Sequence, residues 1–178
     1  MEKKPVTLVV LFSALLLVCL GTKCREKKPG HYVNKDKGFE ISFPEKWEIR
    51  EKRLDIDVIG FSPPTGPDDG FRDNVYVYSK KVPENKSADE VLDANISSMI
   101  NTLTDFQPGD RGHTEIGAKK AARLEYRFRQ GRFKLAGTLY VLTEGDRAYF
   151  IYTVAEQKSE SAFEKAFTKT VKSFRILK

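Results

Sequence analysis

Cysteine is almost absent from this chain. Only Cys19 and Cys24 occur in 178 residues. Residues 25–178 have none, so no disulfide framework can staple them and their core has to close by packing. Histidine is as scarce, with His31 and His113 alone. They are far apart and fall in no H-x-x-x-H or C-x-x-C spacing, so no metal or cofactor is assigned. Asp68, Asp69 and Asp73 are close in sequence but lack the ordered spacing of a calcium loop, and read as a solvated acidic loop. The chain contains no G-x-S-x-G, no cysteine–histidine pairing, no P-loop and no dinucleotide-type glycine pattern, so no catalytic residue can be named. A strong charge of one sign is missing too. The chain carries 31 Lys and Arg against 25 Asp and Glu, a net of +6. Residues 1–23 hold three lysines and one glutamate, which leaves +4 for the rest. That charge is too mild and too dispersed for a nucleic-acid partner.

Long apolar runs are limited to one. Val6–Leu20 is broken only by Thr7 and Ser13 and follows Lys3 and Lys4. It falls short of the ~20 residues that a spanning helix needs, and has the length and flanking charge of a secretion-signal core. Leu20-Gly21-Thr22-Lys23-Cys24 resembles a bacterial lipoprotein cleavage site, which implies diacylglycerol on Cys24 and cleavage before it. Lys23 departs from that pattern, where a small residue is usual. Cys19 competes as the attachment point but lies inside the apolar run. Two other outcomes stay open: cleavage after Gly21, giving a soluble exported protein, and no cleavage, leaving an N-terminal anchor. The expected division is a signal peptide over 1–23, a polar tether over 24–37 and one domain over 38–178. The expected location is the cell envelope, lipid-anchored on the inner or the outer membrane.

The body alternates strand and helix signals. Phe39, Ile41 and Phe43 alternate with polar residues, and the alternation restarts at Trp47-Glu48-Ile49-Arg50 after a Pro44 turn. Residues 56–61 and 74–80 read as short strands, with a loop over 62–70. Ser87-Ala88-Asp89-Glu90 is a capping box. It opens a helix whose stripe is Ala88, Val91, Leu92, Ile96, Met99, Ile100 and Leu103. Residues 104–112, with Pro108, Gly109 and Gly112, read as a loop. Three strands follow over 121–129, 133–143 and 147–155, joined by turns short enough for an antiparallel meander. A last helix from Ser159 or Ser161 buries Phe163, Ala166, Phe167, Thr170, Val171 and Phe174, and a short strand closes the chain. The fold class is α+β, an antiparallel sheet with two main helices packed on it. In the 121–129 strand, Ala122, Leu124, Tyr126 and Phe128 face one way and Arg123, Glu125, Arg127 and Arg129 the other. The apolar face is expected under both helices.

Four stretches, GFEISFPEKWEI, NVYVYSKKVPENKSADEVL, TEIGAKKAARLEYRF and FEKAFTKTVKSFRI, together resemble the PsbP-like superfamily over about residues 31–178. That superfamily also includes a Ran-binding nuclear import factor and many bacterial envelope proteins. The resemblance implies an α/β sandwich on an antiparallel sheet and a non-enzymatic accessory or binding role. Some plant members have been linked to metal ions, but no metal-binding motif carries over to this chain.

Two features could serve binding. One is the row Arg123, Arg127 and Arg129, joined across the hairpin by Arg132 and Lys134. The other is the aromatic set Tyr76, Tyr78, Tyr140, Tyr149 and Tyr152, in which Tyr149 and Tyr152 have opposite parity. A solvated sheet face and a second packing layer account for the same residues. The expected candidate surface is Arg123, Arg127, Arg129, Tyr76, Tyr78 and Tyr140. The expected function is non-catalytic: binding of a protein partner or small ligand at the membrane surface. The rival is an enzyme or metal-dependent factor whose site assembles from dispersed residues.

Overall fold

The computed structural model describes residues 30–53, 55–66 and 69–177. The expected signal segment, Cys19 and Cys24 lie outside the described residues. The elements in chain order are β1 (His31–Asn34), β2 (Phe39–Ser42), β3 (Glu48–Arg53), β4 (Ile56–Phe61), β5 (Asn74–Lys81), α1 (Ala88–Thr102), β6 (Thr104–Ile116), β7 (Lys119–Gln130), β8 (Phe133–Glu144), β9 (Arg147–Glu156), α2 (Glu160–Ser173) and β10 (Arg175–Ile176). Seven strands form an antiparallel sheet in the order β3-β4-β5-β9-β8-β7-β6, and β1-β2-β10 form a smaller one.

The meander β6–β9 is built on three two-residue turns. Each begins with a glycine at positive φ: Gly117 at 58°, Gly131 at 57° and Gly145 at 56°. Such turns match the right-handed twist of the strands they join. In the first turn the second residue is Ala118, at φ 62°, a conformation that its Cβ disfavours. The capping box forms as expected. Ser87 Oγ accepts from the Glu90 N–H at 3.2 Å, and Glu90 accepts from the Ser87 N–H at 2.9 Å.

The sheet carries a core on each face. On one face α1 sets Val91, Leu92 and Met99 against Ala122, Leu124, Leu139, Val141 and Phe150. On the other, α2 and the small sheet set Phe39, Ile41, Trp47, Val171 and Phe174 against Val58, Val77, Leu142, Tyr149 and Ile151. Residues 30–177 thus supply both cores.

Four expectations need correction. Only α1 lies on the Leu124–Phe128 face, and α2 lies on the face that bears Arg123. That face is apolar where α2 packs, against β9 and the Ile116 end of β6 with Ala121 of β7 in the same core, and Arg123, Arg127 and Arg129 lie further along β7. Residues 104–112 are a strand, not a loop. β6 is an edge strand, where Pro108 sacrifices no ladder bond needed inside the sheet, and two register shifts absorb the turn-forming residues. The tether expected over 24–37 gives way to strand β1 at His31, with Tyr32 buried against Phe39. Ile100 is 59% exposed and lies outside the buried stripe of α1.

No described helix is long and apolar enough to cross a membrane.

Candidate functional site

The residues singled out in the sequence do not share one surface. The pairing Arg123↔Tyr140 puts those two side by side on the α2 face, with Arg127 and Arg129 further along the same strand. The pairing Tyr76↔Tyr152 places Tyr76 on the α1 face, and Tyr78, two residues on, shares it. Arg123 and Tyr140 border one cleft and Tyr76 another.

The α2-side cleft, about 420 Å³, lies between α2 and β7–β9. Arg123 is ion-paired with Glu125 on its own strand. Burial weakens the acidity of Tyr140, and the neighbouring Arg123 guanidinium partly offsets this. Glu160 and Glu164 form the opposite wall, both exposed on α2. Arg127 and Arg129 are exposed and border a smaller recess of about 260 Å³ with Lys134. Arg129 Nε is 3.0 Å from Asp105 Oδ2.

The α1-side cleft, about 340 Å³, is lined by Tyr76, Tyr126, Tyr152, Asn74, Asn95 and Phe128, among others, and no charged side chain lines it. Tyr76 and Tyr152 stack with centroids 4.6 Å apart at 11°. Asn95 Nδ2 donates to Tyr152 Oη at 2.8 Å. The Tyr126 ring lies flat across β8 because residue 137 is glycine; a Cβ there would sit 2.6 Å from the ring. Burial raises the pKa of all three phenols. Tyr152 is pushed up to about 12, with the Asn95 hydrogen bond opposing, and Tyr76 and Tyr126 are raised by burial first and by the neighbouring phenols second. All three stay neutral and can donate a hydrogen bond at any physiological pH. Neither the Tyr76 nor the Tyr126 hydroxyl has a hydrogen-bond partner among the described residues.

Tyr78 takes no part in this cleft; its ring stacks on Phe150 at 5.2 Å. Asn74, Asn95 and Gly137 were not singled out in the sequence. Asn95 carried a readable signal: it sits midway between Val91 and Met99 at helical spacing, a polar residue bordering an apolar stripe.

The acidic and histidine candidates are dispersed. Asp68 lies outside the described residues. Asp69 accepts from the Thr65 N–H at 2.8 Å, and Asp73 accepts from the Glu156 N–H at 2.9 Å and Ser159 Oγ at 3.1 Å. His31 Nδ1 is 3.0 Å from Ser42 Oγ, and His113 Nε2 is 2.9 Å from Asp89. Among the described residues no three His, Cys, Asp or Glu side chains group as metal ligands would.

No protein-family model and no curated protein matches this sequence. Solved structures do match. Cyanobacterial PsbP (CyanoP) from Synechocystis sp. PCC 6803 aligns with TM-score 0.61 and 14% identity, over 88% of this chain and 98% of that one. LpqN, described as involved in cell envelope biogenesis of Mycobacterium tuberculosis, aligns with TM-score 0.60 and 14% identity, over 79% and 83%. A protein from Bacteroides thetaiotaomicron aligns with TM-score 0.59 and 13% identity; 84% of this chain is covered, but it spans only 48% of that longer chain. At such identities the likeness is one of fold. With its seven-stranded antiparallel sheet, second small sheet and two helices, this chain has a PsbP-like fold.

Proposed function

We propose that this protein is a non-catalytic binding module, held at the envelope membrane surface by a lipid on Cys24, that takes up a small uncharged ligand between α1 and the sheet. The neutral cleft carries this reading. In a chain that is 31% charged, a recess lined by aromatic and aliphatic side chains, amides and hydroxyls, with no charged group, is selective by composition. Two of its tyrosines have hydroxyls to spare for a ligand. Phenols kept neutral by burial can orient a ligand but offer no general base near neutral pH. The α2-side cleft offers little more for the rival enzyme. Arg123 is committed to Glu125, and neither histidine nor cysteine lines that cleft. The envelope location rests on the apolar run that ends at Cys24, and the shared fold with LpqN, described by its role in envelope biogenesis, is in keeping with it.

Native mass spectrometry of the protein released from its own membranes by mild detergent tests both halves. The expected spectrum shows a diacylglyceryl mass at Cys24 and a non-covalent small-molecule adduct, absent from a Ser98→Trp variant that fills the cleft. An unmodified N-terminus starting at Thr22 refutes the anchor. A bare wild-type chain, or an adduct that survives Ser98→Trp, refutes the ligand site.

A further inference from the structure

We propose that the outer face of α2 is the side of the domain that rests on the membrane, and that it meets an anionic lipid headgroup layer. The inference relies on the anchoring of Cys24 for one point only, the place where the tether begins.

α2 buries Thr170 and Val171 and packs Phe163 and Phe167 inward. Lys165, Lys169 and Lys172, spaced four and three apart, fall together on the opposite side, and all are exposed. Arg175 extends the row past the helix end, its guanidinium donating to the Lys172 carbonyl at 2.6 Å. Among the described residues none of these four cations is in an ion pair. Elsewhere on the described surface Lys81, Lys86, Lys119 and Lys158 pair with carboxylates and Lys120 and Lys134 do not; what sets α2 apart is three such unpaired lysines on one helix face. Two acidic residues neighbour the row, Glu164 at its shoulder towards the Arg123 cleft and Glu40 cross-strand from Arg175. The lysines border a shallow groove with Thr168 and Ser173. Their stems can lie against a headgroup layer while the ammonium groups reach phosphate.

The chain reaches the domain beside this row. The Gly30 carbonyl accepts from the Phe43 N–H at 2.8 Å. The adjacent Ser42 N–H donates to Ser173 Oγ, in the last turn of α2, at 2.8 Å. Five residues lie between Cys24 and Gly30, six residue steps in all. Fully extended they span at most about 20 Å, little more than the ~15 Å radius of gyration of a domain of this size. A tether that short keeps the side where it attaches close to the bilayer.

Each basic residue near an anionic surface strengthens partitioning about fivefold, so three lysines account for about a hundredfold. The test uses residues 24–178 with Cys24→Ser, which keep both cores and lack the acyl chains. The protein is sedimented with phosphatidylcholine vesicles, with or without phosphatidylglycerol, at low salt. The expected result is preferential binding to the phosphatidylglycerol vesicles. The triple variant Lys165→Gln, Lys169→Gln, Lys172→Gln should lose about a hundredfold. The variant Lys81→Gln, Lys120→Gln, Lys134→Gln, with the same change in net charge on strands rather than on α2, should lose less than about threefold. All six positions are exposed, and circular dichroism checks that both variants fold. Equal losses for the two variants, or no vesicle preference in the parent, overturn the proposal. The acyl chain plays no part in this result, so an unmodified Cys24 in the native protein overturns the anchor and leaves the vesicle test to decide the surface.

Discussion

Phe174 is the side chain on which the two sheets and α2 converge. It is fully buried at the end of α2. Its ring stacks on Phe39 of the small sheet at 5.5 Å and meets Tyr149 of the large sheet edge-on at 5.6 Å. Phe→Ala in a core costs about 3–5 kcal/mol, the spread reflecting how far the site can collapse. Here β2, β9 and α2 surround the ring and are held by their own ladders and by the Ser42–Ser173 hydrogen bonds, so collapse is poor. Two aromatic contacts are lost as well, each adding about 0.5–1.5 kcal/mol beyond area alone. Phe174→Ala should therefore cost about 4–5 kcal/mol, a large part of the ~5–15 kcal/mol available to a domain. At about 2–4 °C per kcal/mol the melting temperature should fall by roughly 10–15 °C. Urea unfolding of residues 24–178 measures this, followed by far-UV circular dichroism and the fluorescence of Trp47, which packs on α2 against Phe163 and Phe167. Phe167→Ala, which removes a partly exposed ring, should cost about half as much. A loss below about 2 kcal/mol for Phe174→Ala, or an equal loss for both, would refute the three-way clamp.

Two further perturbations test local features. Burial raises the pKa of Asp73, against the pull of its hydrogen bonds from Glu156 and Ser159. The folded state therefore binds this proton more tightly than the unfolded chain, and the associated stability is present at low pH and lost as pH rises from about 3.9 through the folded pKa. Asp73→Asn keeps the accepting oxygen without the charge, so its stability relative to wild type should increase between pH 3 and pH 7. Urea midpoints at the two pH values measure this, and a difference that stays flat or falls contradicts the assignment. Ala118→Gly should relieve the positive φ of the β6–β7 turn. The relief, about 1–2 kcal/mol, exceeds the extra entropy that glycine loses, so a net gain of about 0.5–1 kcal/mol is expected. A lower urea midpoint at unchanged slope would show that the turn is not under strain.

The candidate site was legible only in part. Tyr76, Tyr140 and the arginines stood out because polar or aromatic residues at strand spacing mark a face. Whether they share a face depends on register between strands far apart in sequence. β5 and β9 pair Tyr76 with Tyr152 across most of the meander, and nothing local to either segment encodes that pairing. The same pairing builds the neutral cleft. Tyr126 reads as a core residue on its strand, and Asn95 as a helix position, until α1 lies over the sheet and Gly137 lets the Tyr126 ring lie flat.

The local chemistry was determined by the sequence itself. Period-two alternation makes the strands, the Ser87–Glu90 box starts α1, and Gly117, Gly131 and Gly145 set the hairpins, because backbone sterics and near-neighbour hydrogen bonds need no distant partner. Tertiary structure alone decided the placement. α2 could not be assigned a face from its own stripe, since both faces of the large sheet offer apolar ground. It packs against β9, the Ile116 end of β6 and the small sheet, which closes over Phe174, and the arginines of β7 lie further along that strand than Ala121, which joins the core.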